Sequence, residues 1–496
     1  MRLGKIWWTA IAISALFVSL ACWGFSSPIG STPDENFHLV NIWCAGGFHE
    51  GRCEKDALGS DYALTPSFDS EKLVCFRFLP ETSAACQTDL RGEEINSLTT
   101  SVVQKTFYPP VFYRVMNKFV TFDIPRSVLA MRMFNAFLYA CLLFAVIYLS
   151  RPSLRQAVII SHLATVIPLA MFIVPSINPS SWTFTGVSLL WAAWIGFLEE
   201  HGTRRLLLGI ISLTCVLIAA GSRADGAIYA AVSMILATLF VGKLKKRDIT
   251  VYATLGTALL VALALFIPTR QRQMITSLNG NYSGLDFITL LFANVGNLPT
   301  FMTGAVGNSL LGWQDTPMPG VTAIGIPMLF CALCVISSQS HSGSQRVVFG
   351  LLIALLVIGP LYLLNEGRFL IGQAIQPRYF LPLFTVLLGF VLLRSDRSTV
   401  IVFSYTQKIL MLMVLISGNA YALHQNIQRY VTGLDIRTFN LSKNTEWWWK
   451  GSLDPQKLWM LGVATFGFAT VILLNQKVLS VHKDEPASSL LSTDTL

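Results

Sequence analysis

The chain has 496 residues, 53% of them hydrophobic and only 13% charged, with a mean hydropathy of +0.57. These proportions exclude a soluble domain with a charged surface and indicate an all-α polytopic membrane protein. The net charge of +9 does not point to nucleic acid, because Lys and Arg concentrate between apolar runs, where they orient a protein in a bilayer.

The first apolar run, Trp7 to Phe25, follows the basic start MRLGK but ends in CWGFSSPIG, a poor cleavage site. It reads as an uncleaved span, not a signal peptide. A helix needs about 20 apolar residues to cross the hydrocarbon. By that measure further spans are expected over 127–149, 157–174, 183–198, 204–220, 226–242, 249–267, 321–337, 347–364, 380–393, 400–420 and 457–475, about twelve in all. The connections MRLGK, SRPSLRQ, EEHGTRR, GKLKKRD, SQSHSGSQR and RSDRST are short and basic, which places them and both termini in the cytoplasm. The long loop 26–126 and the segments 269–320, 365–379 and 421–456 then face outward. Residues 1–480 form one transmembrane domain that includes loop 26–126, and 481–496 read as a disordered cytoplasmic tail.

Of nine cysteines, Cys44, Cys53, Cys75 and Cys86 lie in the long outward loop, where an oxidising side would allow two disulfides of undetermined pairing. Cys331 and Cys334 fall inside a span and read as packing residues. The stretch FYPPVFYRVMNKFV, Phe107 to Val120, is expected to lie along the membrane interface. Asn281 and Asn440 open glycosylation triplets, which chance supplies often.

Polar clusters collect on the outward side. Asp34, Glu35 and His38 follow the first span, in TPDENFHL, and VPSINPSSW, SRADG, GWQDTPMPG and NEGRFLIGQAIQPRYF end or begin later ones. Charged groups at a membrane boundary are candidates for function. An acidic helix start after Pro33 has a structural explanation in the helix dipole, yet a carboxylate beside an apolar surface also suits general-base work. Arg223 with Asp225, and Arg378 with Tyr379, would serve as a local ion pair and as interface anchors; a fixed guanidinium is equally suited to gripping a phosphate. Trp313, just before Asp315, is a candidate sugar or lipid platform. No phosphate-binding glycine loop, zinc motif or DxD pair occurs, so a group donor used on the outward side must arrive activated, and a lipid-borne carrier is the natural form.

PDENFH after the first span, YPPVFYRV, RMFNAF, GWQDTPMP and QPRYFLPLF together resemble the bacterial membrane proteins of domain of unknown function 2142, a family that looks similar to the GT-C glycosyltransferases. The resemblance implies a GT-C-like fold in the bacterial inner membrane. It further implies transfer of a sugar, with inversion, from a polyprenyl-phosphate carrier to an extracytoplasmic cell-surface glycan such as an O-antigen. On that reading Asp34, with Glu35 beside it, is the catalytic base, and Arg378, backed by Arg223, holds the carrier phosphate. Asp315 lines the sugar or acceptor side, and His38 belongs to the motif without a fixed role. A divalent metal on Asp34 and Glu35 is a further option. The alternatives are a flippase or transporter of lipid-linked sugars and a non-catalytic partner in glycan assembly.

Overall fold

The computed structural model describes residues 2–59, 61–68, 70–87, 97–103, 107–242, 248–270, 282, 284–337, 341–373, 375–394, 396 and 399–475. The Asn281 triplet, the tail 481–496 and the basic stretch 243–247 lie outside the described residues. Among the described residues, ten helices are long and apolar enough to cross a membrane, fewer than the twelve expected. Of the two other expected spans, one is the shorter apolar helix Leu381–Leu392. The other is interrupted into Pro152–Thr165 and Leu169–Ile173, because Pro168 has no amide hydrogen with which to continue the ladder.

In chain order the helices are α1 (Arg2–Phe25), α2 (Glu35–Cys44), α3 (Pro110–Asn117), α4 (Ile124–Leu149), α5 (Pro152–Thr165), α6 (Leu169–Ile173), α7 (Ser180–Glu199), α8 (Gly202–Ala220) and α9 (Ala224–Val241). They continue as α10 (Ile249–Phe266), α11 (Phe287–Ala305), α12 (Gly320–Ala323), α13 (Gly325–Ser337), α14 (Gly343–Glu366), α15 (Leu381–Leu392), α16 (Tyr405–Val431) and α17 (Pro455–Leu473). Helix α7 is central, with 94% of its span window buried. Gly186 lets α8 approach it closely: a Cβ there would stand 2.5 Å from the Cys215 carbonyl, the small-residue contact that membrane helices use in place of a hydrophobic driving force.

Antiparallel order gathers the described parts of the basic connections at one end. There Arg151 pairs with Glu199 at 2.7 Å, Arg205 with Asp248 at 2.5 Å, and the Gln156 amide donates to the Ile401 carbonyl. The long loop and the polar clusters occupy the opposite end.

Within the long loop a three-stranded antiparallel sheet, β1 (Glu54–Lys55), β2 (Tyr62–Pro66) and β3 (Leu98–Val102), departs from the all-α expectation. Disulfides Cys44–Cys53 and Cys75–Cys86 resolve the open pairing, each closing a short local segment. Helix α3 does not lie along a membrane interface. Its Phe112, Tyr113 and Met116 are buried, the Phe112 amide donates to the Gly221 carbonyl, and Asn117 donates to the carbonyls of Ile42 and Trp43, so α3 clamps α2 onto the bundle. Two segments read as loops are helical: α11 forms within 269–320, and α16 runs on to Val431.

Candidate functional site

The turn between α1 and α2 is fixed almost carbonyl by carbonyl. Arg132 of α4 donates to the carbonyls of Gly24 (2.9 Å), Ser27 (2.7 Å) and Pro28 (2.8 Å). Gln87 donates to Ile29, the Trp313 indole to Gly30, Tyr430 to Ser31 and Asn178 to Pro33. Buried backbone acceptors left unpaired would cost free energy, so this saturation accounts for the fixed course of the turn. At its end Asp34 adopts φ 61, ψ 15, a left-handed conformation that costs an ordinary residue roughly 1–2 kcal/mol and that Asp and Asn tolerate best. Its carboxylate makes no capping bond to α2 and stays 52% exposed.

Opposite Asp34 stands Arg378, in the short 3-10 turn Pro377–Tyr379. Its side chain is only 8% exposed, and its Nη2 lies 3.4 Å from Asp34 Oδ2 and 3.3 Å from the Tyr379 hydroxyl. Both are at the long limit for such bonds, and Nε meets no acceptor. The other buried arginines here are anchored on closer acceptors. Arg223 grips Asp225 with two bonds of 2.9 and 3.0 Å, and Arg429 donates to the Thr82 and Phe76 carbonyls and to Asp315.

Tyr379 lies between two cations, with the Arg223 guanidinium 4.4 Å and that of Arg378 5.0 Å from its ring centre, contacts worth about 0.5–2 kcal/mol each. Behind it, the His38 Nδ1 shares a 2.9 Å hydrogen bond with the Tyr113 hydroxyl, and Tyr108 packs against the His38 ring. Burial, and then the charges of Arg223 and Arg378, hold His38 well below the usual histidine range, so its imidazole is neutral. Burial likewise pushes the Tyr108 phenol up to about 12.

Beside Arg378 is a cavity of about 220 Å³, lined by apolar residues including Leu169, Phe172, Ile173, Phe301 and Pro377, with Thr300, Asn308, Ser309, Gln314, Gln376 and Arg378 as polar members. Mostly apolar walls with a few polar side chains around one under-bonded guanidinium suit an amphiphile with an anionic head.

The sequence-derived residues thus divide. Asp34, Arg378, Tyr379, Arg223, Asp225 and His38 converge, although they come from α2, the segment before α15 and the start of α9. Glu35 does not join Asp34 as a working carboxylate. It is fully buried and accepts from Arg132 at 3.0 Å and from the Thr32 amide and hydroxyl, because an arginine inside a membrane helix must be neutralised. That also separates the pair suggested for a metal; among the described residues no group of three His, Cys, Asp or Glu gathers. Asp315 is buried in its 2.9 Å pair with Arg429, and Trp313 is buried with its indole nitrogen on Gly30, so neither is an exposed platform. His38 is buried behind the site and acts on it only through its neighbours. Arg132 lay in the RMFNAF motif, where an arginine within an apolar span was a readable signal. Arg429 gives none, since hydropathy ends its span at 420, whereas the helix runs on to Val431.

A family model described as "Predicted membrane protein (DUF2142)" matches residues 17–387. No curated protein matches the chain.

Proposed function

We propose that this chain, which belongs to the DUF2142 family of predicted membrane proteins, is a GT-C-type glycosyltransferase that moves a sugar from a polyprenyl-phosphate carrier to a cell-surface glycan. One observation carries the reading. A guanidinium 8% exposed, with only long contacts to its neighbours, heads an apolar cavity and lies 3.4 Å from a half-exposed carboxylate. The carrier phosphate would take Arg378 in charge-assisted bonds and draw it from Asp34, freeing that carboxylate.

Asp34 then accepts the proton of an acceptor hydroxyl as its oxygen bonds to the anomeric carbon. The bond from that carbon to the carrier phosphate breaks, and its electron pair leaves on the phosphate, beside Arg378. A positioned base contributes about 10²- to 10⁴-fold, and a fixed charge in a water-poor cavity contributes on a similar scale. Arg223 and Asp225 hold Tyr379, and through it Arg378, in place.

The site belongs on the extracytoplasmic face of a bacterial inner membrane, with both termini in the cytoplasm. Two disulfides on the site's side and basic connections at the other end support that orientation. A transporter of lipid-linked sugars needs a polar path through the bundle. Here the charged groups Asp34, Arg378, Arg223 and Asp225 gather at one end of the bundle, which favours transfer over transport.

The test is mass spectrometry of surface glycans from deletion, wild-type, Asp34→Asn and Arg378→Gln strains. The deletion should lack one sugar, which the wild type restores and neither variant does at normal protein level. A full wild-type glycan from Asp34→Asn would overturn the proposal.

A further inference from the structure

A second cavity, of about 820 Å³, lies on another side of the same end of the bundle. Its walls come from the end of α1, the first turns of α4 and α17, and the segment before α17. Pro125, Leu129, Met133 and Leu458 give it an apolar floor, and Trp447, Trp448 and Trp449 close one side. Its charged lining residues are Arg126 and Lys450, and no carboxylate lines it. Both cations are exposed and form no ion pair among the described residues. The nearest acid in sequence to Arg126 is Asp123, which caps α4 by accepting the Arg126 amide.

The tryptophans narrow the choice of occupant. The Trp449 indole donates to the Phe25 carbonyl at 2.9 Å and that of Trp448 to the Leu453 carbonyl at 2.5 Å. With those hydrogens committed, the two rings offer apolar faces rather than donors for sugar hydroxyls. Tryptophan at helix ends is also the residue of the membrane interface. One to three turns further along the same helices, Phe137 of α4 is 55% exposed and packs edge-on against Phe17 of α1, so the apolar wall continues into the lipid-facing surface.

We infer that this cavity binds one anionic membrane phospholipid, its phosphate held by Arg126 and Lys450 and its chains running down toward Phe17 and Phe137. The interaction is independent of sugar transfer at Arg378. Two cations with no opposing carboxylate favour an anionic over a zwitterionic headgroup, by about fivefold for each cation.

The test uses the full chain in neutral detergent, titrated with short-chain phosphatidylglycerol or phosphatidylcholine and read by native mass spectrometry. The wild type should retain one phosphatidylglycerol in preference to phosphatidylcholine. Arg126→Gln with Lys450→Gln should weaken that binding roughly 30-fold and erase the preference, and Met133→Trp, which fills the floor, should abolish retention. Arg378→Gln should leave it unchanged, which keeps this result separate from the fate of the transfer reaction. Equal retention of the two lipids by the wild type, a wild-type preference in the double variant, or displacement of the lipid by a soluble oligosaccharide would each overturn the assignment.

Discussion

Replacing Glu35 by alanine should destabilise the protein by about 3–5 kcal/mol, the range for stripping one partner from a buried ion pair. The structure places the value within that range. Arg132 is 1% exposed, so water cannot replace the lost carboxylate. It keeps three carbonyl acceptors, from Gly24, Ser27 and Pro28, which sets the ionic part near 3 kcal/mol. Thr32 loses the acceptor of its amide and hydroxyl, adding about 1–2 kcal/mol. Glu35→Gln retains the shape and an acceptor and should cost about half as much. Glu35→Leu combined with Arg132→Met, which removes both charges, should be milder than Glu35→Ala, since the desolvation penalty vanishes with the pair. Urea unfolding in mixed micelles gives all three values. A Glu35→Ala protein within about 1 kcal/mol of wild type would refute the claim that this carboxylate is structural.

Three further outcomes follow from the same geometry. Gly312→Ala should cost about 2 kcal/mol or more in the same assay, because φ is 60 there and the new Cβ would stand 2.7 Å from Asp315 Oδ1 and 2.8 Å from the Tyr430 hydroxyl. His38 is neutral when folded and has its ordinary value of 6.5 when unfolded, so the unfolded state binds the extra proton. Its contribution is complete above about pH 6.5 and falls as the pH drops below that, by at most about 1.4 kcal/mol per pH unit; the stability difference between wild type and His38→Asn should therefore shrink on acidification. Cys75→Ser with Cys86→Ser opens a loop of sequence separation 11 and should cost about 3 kcal/mol; reducing agent, which also opens Cys44–Cys53, should cost the wild type more than it costs this variant.

Hydropathy is a sum over neighbours along the chain, so the sequence by itself determined what that sum can carry: a membrane protein, most of its spans, a long polar loop holding four cysteines, and a set of short basic connections. The parity of spans also predicts Asp34, Arg378 and Tyr379 at the same end of the bundle without any knowledge of packing, and they meet there. Which charges neutralise one another was decided by the tertiary structure alone. Glu35 meets Arg132 across 97 positions and Asp315 meets Arg429 across 114, while Arg378 reaches Asp34 across 344 only at arm's length. Adjacent Asp34 and Glu35 look alike in the sequence, but the left-handed turn at Asp34 points one carboxylate toward the site and the other into the bundle. Such pairings depend on the rotation and height of each helix against its neighbours, quantities that a string of side chains does not encode locally and that close packing of the whole bundle fixes at once.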